Sequence, residues 1–195
     1  MEKIIAVDLD EVLAETFRAL LRRKKWKFVG TKISYDDAVS YNLREIPKLT
    51  ITKQKSIRVY MWFLLWAWLR IKISPVIWAK TKLKEFKKKW YKFHVVTARH
   101  FLLRFATGIW LCKNYKHIFD SVVFANFFTR FSTKKSEICK KLWATVIIED
   151  NLENAIDCAK EWIKVYLIDK PWNQWYNKKK HKWIIKVNSR SEINL

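Results

Sequence analysis

The stretch IAVDLDEVLAET, residues 5–16, decides how this chain folds. It opens with an apolar run without alternation, which is typical of a strand buried on both faces of a parallel sheet. Two carboxylates, Asp8 and Asp10, stand where that strand should end. In that position they repel each other and lose hydration unless a cation lies between them. The stretch therefore predicts a buried strand with a cation-binding site at its end.

Asp10 has a structural alternative, because an aspartate can cap the N-terminus of a helix that begins near Glu11. A cap would explain Asp10 but would leave Asp8 without a role. The chain holds 40 Lys and Arg against 18 Asp and Glu, so two carboxylates this close together require a reason. We therefore favour a site.

The rest of the chain alternates strand with helix. Apolar runs predict buried strands at residues 4–9, 93–96, 145–148 and 165–168, with weaker strands at 121–124 and 183–187. Helices are predicted at residues 80–89, 102–114, 135–142 and 152–161. This alternation predicts an α/β fold in which a Rossmann-like parallel sheet is flanked by helices. After Pro171, apart from the last strand, an irregular basic tail is expected.

Residues 11–75 interrupt the alternation. Their pattern is mostly helical, and we expect a helical cap inserted after the first strand, with residues 1–10 and 76–195 forming the core domain. Ligands of open α/β sheets bind at the carboxyl ends of the strands, so the insertion is placed to act as a lid. Its most apolar stretch, residues 59–69, is shorter than the roughly 20 residues of a membrane-spanning helix, and a buried or surface-docking helix is expected there.

The chain carries a formal net charge of +22, which attracts nucleic acids, anionic membranes and phosphorylated small molecules. Its basic residues are spread along the sequence, as in proteins whose charges form solvated faces. Nucleic acid binding is therefore an alternative that we do not favour. Docking of residues 59–69 on a membrane surface is another.

Three widely separated cysteines, Cys112, Cys139 and Cys158, lack the paired spacing of a zinc site or a disulfide framework. Their number and spacing indicate a reducing compartment, and the N-terminal residues lack the form of a signal peptide. We therefore expect a cytoplasmic protein.

Polar groups also follow two other predicted strands. Thr97 and Arg99 end the stretch VVTAR, and Glu149 and Asp150 follow another apolar run. Because the carboxyl ends of parallel strands share one edge of a sheet, we expect these groups to gather near the two N-terminal aspartates. Carboxylates suit a metal ion, and hydroxyl and guanidinium groups suit phosphate.

Four short motifs then follow one another at predicted strand and helix ends: DLDEV (8–12), VVTAR (95–99), a lysine in KKSEIC (134–139) and IIEDNLEN (147–154). In these motifs the chain resembles the haloacid dehalogenase-like hydrolase superfamily, over about residues 3–16 and 75–173. The first two motifs and the stretch YLIDKPWN, residues 166–173, are similar to its 5'-nucleotidase branch, which includes pyrimidine deoxyribonucleotidases.

The resemblance implies a site for phosphoryl transfer. Asp8 would be the nucleophile that forms an aspartyl-phosphate, and Asp10 would be the general acid and base. The residues that would contact the substrate phosphate are Thr97, Ala98, Arg99 and Lys135. Of these, Thr97 and Lys135 would also assist the reaction. Lys134 is the alternative to Lys135, and a salt bridge to a neighbour is the alternative role of Arg99.

The resemblance also implies a bound Mg²⁺ ion. Its ligands would be the Asp8 carboxylate, the main-chain carbonyl of Asp10 and a carboxylate of the fourth motif, Glu149 or Asp150. We favour Asp150, although the longer Glu149 can still reach the ion through water.

The expected function is that of a Mg²⁺-dependent phosphoric monoester hydrolase, a 5'-nucleotidase acting on a nucleoside monophosphate or a similar small phosphate ester. Phosphoryl transfer to another acceptor shares the aspartyl intermediate and remains open. The alternative is a noncatalytic basic protein that binds nucleic acid with the same fold. Specificity would belong to the insertion, whose aromatic residues either stack on a nucleobase or pack in the core: Phe17, Tyr35, Tyr41, Tyr60 and Trp62.

The chain has 12 tryptophans and two glycines, an unusual balance for a chain with many turns. Trp90, Trp143 and Trp162 each stand between a basic helix and a buried strand, where helices commonly end in a left-handed glycine. We hypothesise that these positions and Trp78 are UGA codons read as glycine in the organism, since some bacteria read UGA as glycine and others as tryptophan. Trp172, in the family-like KPWN, should be encoded by UGG.

Overall fold

The computed structural model of the protein describes residues 3–22, 33–40, 43–47, 49, 51–52, 54–59, 61, 63, 73–127, 129–188 and 192–194. Six strands form one sheet in which all neighbouring strands are parallel. They are β1 (Ile4–Val7), β2 (Lys92–Thr97), β3 (Ser121–Phe124), β4 (Val146–Glu149), β5 (Lys164–Ile168) and β6 (Ile184–Val187). The predicted α/β fold with a Rossmann-like sheet is confirmed.

The spatial order of the strands is β3-β2-β1-β4-β5-β6. The chain builds one half of the sheet outward from β1 and the other half outward from β4, so the strand order reverses between these two neighbours. Ligands of such sheets bind in the crevice at the carboxyl ends of the strands that flank the reversal. β1 ends directly before Asp8 and β4 ends at Glu149, which places both carboxylates at this crevice.

Helices pack on both faces of the sheet. They are α1 (Thr16–Leu21), α2 (Ile77–Lys87), α3 (Arg104–Asn114), α4 (Lys135–Lys141) and α5 (Leu152–Lys160). Residues from α1, α2 and α3 share a core with Ile5 and Val7, whereas residues from α4 and α5 share a second core with Ala6. Both faces of β1 are therefore buried, which explains why this strand is a continuous apolar run.

The two ends of residues 11–75 meet beside the sheet. Ala14 forms a β-bridge with Pro75, and the N–H of Val76 donates to the Leu13 carbonyl at 2.8 Å. Between these ends the structure describes α1, a 3-10 turn at Leu43–Glu45 and helical residues 54–59. Most of the apolar stretch 59–69 lies outside the described residues. Within the described ranges, no helix is long and apolar enough to cross a membrane.

The alternative role of Asp10 as a helix cap is wrong. The first helix, α1, begins at Thr16, and Glu15 occupies its N-cap position. Glu11 has a φ of 63°, a left-handed conformation that a right-handed helix does not contain. The chain therefore makes a turn after Asp10 and leaves this side chain for another role.

The prediction of an irregular tail after Pro171 is wrong for the first residues of that segment. Pro171–Asn173 forms a 3-10 turn in which Trp172 and Asn173 are buried. The weaker strand predicted at 183–187 is confirmed as β6, which pairs in parallel with β5 and places Ile184 opposite Val165.

Three tryptophans end helices in the left-handed conformation. Trp90, Trp143 and Trp162 have φ values of 63°, 58° and 60° and expose 86%, 82% and 74% of their surface. The predicted left-handed helix ends are confirmed at these positions. Trp78 differs, because it lies inside α2 and is partly buried against the core, so its backbone gives no reason for glycine.

Candidate functional site

Three carboxylates from two adjacent central strands come together at the crevice. Asp8 follows β1, Glu149 is the last residue of β4 and Asp150 follows it. Each offers a carboxylate oxygen that lies within 4.8 Å of those of the other two, and all three residues are buried. The sequence placed these residues at strand ends, and parallel pairing of β1 with β4 brings them together.

Lys135, the first residue of α4, lies inside the same cluster. Its Nζ is 2.7 Å from Asp8 Oδ1 and 2.9 Å from Glu149 Oε2, and the residue is only 2% exposed. Burial alone would lower the pKa of Lys135, but the charges of Asp8 and Glu149 raise it above its usual value. Lys134 instead points to the exterior, where it pairs with Asp157 at 3.7 Å.

The cluster holds more negative charge than Lys135 can balance. Burial, followed by the charge of Glu149, raises the pKa of Asp8 to about 7, and the same causes raise the pKa of Asp150 well above its ordinary value. The Oδ1 atom of Asp8 is buried and lies 2.7 Å from Lys135 Nζ. A buried, all-oxygen donor set with more negative charge than one lysine balances fits a hard divalent cation such as Mg²⁺.

The side chain of Asp10 lies outside this cluster. Arg99 donates to both of its oxygens, from Nε to Oδ2 at 2.8 Å and from Nη2 to Oδ1, and Thr16 donates a further hydrogen bond. Arg99 is itself buried and also donates to the Thr107 hydroxyl at 3.3 Å. Of the two roles considered for Arg99, the geometry favours the salt bridge. A contribution of Asp10 to the metal site would have to come from its main-chain carbonyl.

Thr97 and Ala98 close the carboxyl end of β2, beside β1. The Thr97 hydroxyl is buried and accepts a hydrogen bond from the Arg99 N–H at 3.3 Å. The carbonyl of Ala98 accepts one from the Phe127 N–H at 3.0 Å, which ties this loop to the loop after β3. Both residues are therefore held at the edge of the sheet that carries the carboxylates.

Sequence reasoning missed two side chains that hold Asp150, those of Trp172 and Asn173. Trp172 Nε1 donates to Asp150 Oδ2 at 2.9 Å, and Asn173 Nδ2 donates to the main-chain carbonyl of Asp150 at 2.8 Å. Asn154 Nδ2 donates to Glu149 Oε1 at 3.0 Å. The signal for Trp172 and Asn173 was the stretch KPWN, which was used for its family likeness and not for a role in the site.

Of the five aromatic residues of the insertion that could stack on a nucleobase, the structure describes two, Phe17 and Tyr35. Phe17 is buried in the core and makes an edge contact with Tyr35, with ring centroids 6.2 Å apart. Tyr35 donates its hydroxyl to Glu11 Oε2 at 2.9 Å, and the Arg18 guanidinium lies 4.1 Å from its ring centroid. For these two residues, packing is the better interpretation. Tyr41, Tyr60 and Trp62 lie outside the described residues.

Comparison with protein-family models finds no match, and comparison with curated proteins finds none. Solved structures do match. A haloacid dehalogenase-like family hydrolase from Streptococcus pneumoniae has a TM-score of 0.63 at 12% identity, over 86% of this chain and 85% of that chain. A "predicted phosphoglycolate phosphatase" from Haemophilus somnus has a TM-score of 0.61 at 18% identity, over 94% and 93%.

A third match is a variant of CbbY from Rhodobacter sphaeroides in complex with xylulose-1,5-bisphosphate. Its TM-score is 0.59 at 16% identity, over 98% of this chain and 96% of that chain. Identities this low show that the chain shares the fold of these three proteins and show nothing further. None of these three structures is described as a nucleotidase, so they lend no support to the 5'-nucleotidase branch.

Proposed function

We propose that this protein is a phosphohydrolase in which Asp8 attacks the phosphorus of a small phosphate ester. The observation that carries the proposal is the meeting of three buried carboxylates with Lys135 at the crevice between β1 and β4. Burying this much like charge costs folding free energy, because each ion loses its hydration. Clusters of strongly shifted carboxylates in a crevice are characteristic of functional sites.

The donor set supports a Mg²⁺ ion held by Asp8 together with Glu149 or Asp150, with the Asp10 carbonyl as a further ligand. When bound, the ion would offset the negative charge that the carboxylates share with the incoming phosphate. The ion would therefore supply the positive charge that Lys135 alone does not provide to the three carboxylates.

In the proposed reaction a carboxylate oxygen of Asp8 bonds to phosphorus as the bond to the leaving oxygen breaks. Water then hydrolyses the aspartyl-phosphate and regenerates Asp8. Asp10 would protonate the leaving oxygen and later accept a proton from the water. Lys135 would neutralise charge on the transferred group, and Thr97 with Ala98 would bind its oxygens at the end of β2.

The substrate we propose is a small phosphate ester, and most specifically a nucleoside monophosphate. The motifs DLDEV and YLIDKPWN support the nucleotide. The fold itself is compatible with other small substrates, since the matched CbbY structure holds xylulose-1,5-bisphosphate. Residues 11–75 would form the cap, because their two ends meet at Ala14 and Pro75, and Ala14 also forms a β-bridge with Asp10.

A phosphate-release screen over nucleotides and sugar phosphates, with Mg²⁺ or with EDTA, tests the proposal. Asp8→Asn should abolish release while leaving the circular dichroism spectrum unchanged. Asp157→Asn is the matched control, because Asp157 lies outside the cluster and pairs with Lys134 and Lys160. Full activity of Asp8→Asn would refute the assigned nucleophile.

A further inference from the structure

Asp150 is held from two directions by neighbouring residues of one turn. Trp172 donates its indole N–H to the Asp150 carboxylate at 2.9 Å, and Asn173 donates its amide to the Asp150 carbonyl at 2.8 Å. Asn173 also donates to the carbonyl of Ile168 at 2.8 Å, which anchors the turn to the end of β5. Both donor residues are buried, so neither bond competes with water.

The indole ring of Trp172 is fixed in turn by aromatic neighbours. Its centroid lies 5.7 Å from that of Phe17 and 5.7 Å from that of Tyr35, in edge contacts. Phe17 belongs to α1, and Tyr35 is bound to Glu11 through its hydroxyl. Phe17 and Tyr35 therefore fix the direction of the indole N–H. Both residues follow β1 in the chain, and Asp8 comes directly after that strand.

We infer that Trp172, supported by Asn173, is a positioning residue that orients the Asp150 carboxylate toward the cation and so sets the affinity of the metal site. The indole donates to Oδ2, and a carboxylate oxygen of Asp150 lies within 4.8 Å of one from Asp8 and one from Glu149. Hydrogen bonds to ligating carboxylates fix their orientation, and their loss typically weakens metal binding by about 10- to 100-fold. The inference rests on the proposed metal site.

Titration calorimetry of Mg²⁺ binding to the full chain tests this role. Trp172→Phe keeps an aromatic ring but removes the N–H, and its Kd for Mg²⁺ should rise by about 10- to 100-fold. Trp110→Phe is the matched control, since Trp110 is also buried and donates its indole N–H to the Ile73 carbonyl at 3.0 Å, away from the cluster. Its Kd should equal that of the wild type.

The Mg²⁺ concentration that gives half-maximal phosphate release should rise for Trp172→Phe by the same factor as its Kd, and should be unchanged for Trp110→Phe. A side chain that serves only stability would lower the melting temperature of the variant and leave its Kd for Mg²⁺ unchanged. That result would overturn the inference and leave the proposed function intact.

A measurement on the wild type covers the case in which Trp172→Phe does not fold. In a protein labelled with ¹⁵N at its indole nitrogens, the Trp172 resonance should move as Mg²⁺ is titrated, and the Trp110 resonance should stay in place. A Trp172 resonance that stays fixed while Mg²⁺ binds would contradict the inference. A wild type that binds no Mg²⁺ would overturn the proposed metal site and this inference with it.

Discussion

Arg99 holds both carboxylate oxygens of Asp10, with 2.8 Å between its Nε and Oδ2 and a second contact from its Nη2 to Oδ1. The contact joins the end of β2 to the turn that follows β1. Because both oxygens are engaged, the side chain of Asp10 is held apart from the cluster of Asp8, Glu149 and Asp150. Arg99 therefore determines where the proposed acid and base lies.

Arg99→Lys should lower kcat by about 10- to 100-fold with little change in KM. Lysine is a point charge and does not reproduce the two parallel hydrogen bonds, so part of the roughly 10²- to 10⁴-fold contribution of general acid and base catalysis is lost. Steady-state kinetics on the best substrate measure the effect. Arg104→Lys is the control, because that guanidinium stacks on Phe105. A rise in KM with unchanged kcat would instead assign Arg99 to substrate binding.

Lys135→Met should lower the free energy of unfolding in EDTA by about 3 to 5 kcal/mol, the usual cost of leaving buried charges without their partner. Urea denaturation provides the measurement. The neighbouring change Lys134→Met should stay within about 0.5 kcal/mol, because that side chain is exposed. Equal stability of the two variants would show that Lys135 is not the counter-charge of Asp8 and Glu149.

Without metal, the free energy of unfolding of the wild type should fall relative to that of Asp8→Asn as the pH rises. The pKa of Asp8 is raised from 3.8 to about 7 in the folded state, chiefly by burial, so between these values the folded state binds more protons than the unfolded one. The stabilisation is complete below the lower pKa and is lost as the pH passes the higher one. Melting temperatures in EDTA at about pH 5 and about pH 8 measure it. A wild-type advantage that grows with pH would contradict the assignment.

Trp90→Gly, Trp143→Gly and Trp162→Gly should each raise the free energy of unfolding by about 1 to 2 kcal/mol, because left-handed backbone is costly for residues with a Cβ. Trp175→Gly is the control, since Trp175 is exposed but is not among the described residues with positive φ. Gene sequencing adds a direct check: UGG codons at all three helix ends would end the hypothesis of a reassigned codon.

The strands and the carboxylate cluster could be predicted because their signals are local. Unbroken apolar runs mark strands buried on both faces, and polar residues directly after them must share one edge of a parallel sheet. The preference for Lys135 over Lys134 came from the family resemblance. Its burial between Asp8 and Glu149 agrees with that choice.

The remaining features depend on contacts between distant parts of the chain. Arg99 and Asp10 are 89 positions apart in the sequence, and Trp172 and Asp150 are 22 apart. A local sequence pattern therefore does not predict either contact. The start of α1 at Thr16 was missed because Glu11 adopts a left-handed conformation that is uncommon for its residue type. Burial of Phe17 likewise depends on packing against Trp172 from the far end of the chain.

Trapping the covalent intermediate tests the proposed nucleophile most directly. Protein mixed with its best substrate and Mg²⁺, then quenched in acid and digested, should yield a peptide with a phosphate on Asp8 that hydroxylamine removes. The same peptide from Asp8→Asn, or from a reaction in EDTA, should carry none. Turnover that leaves Asp8 unmodified, or phosphate on another residue, would contradict the role of Asp8.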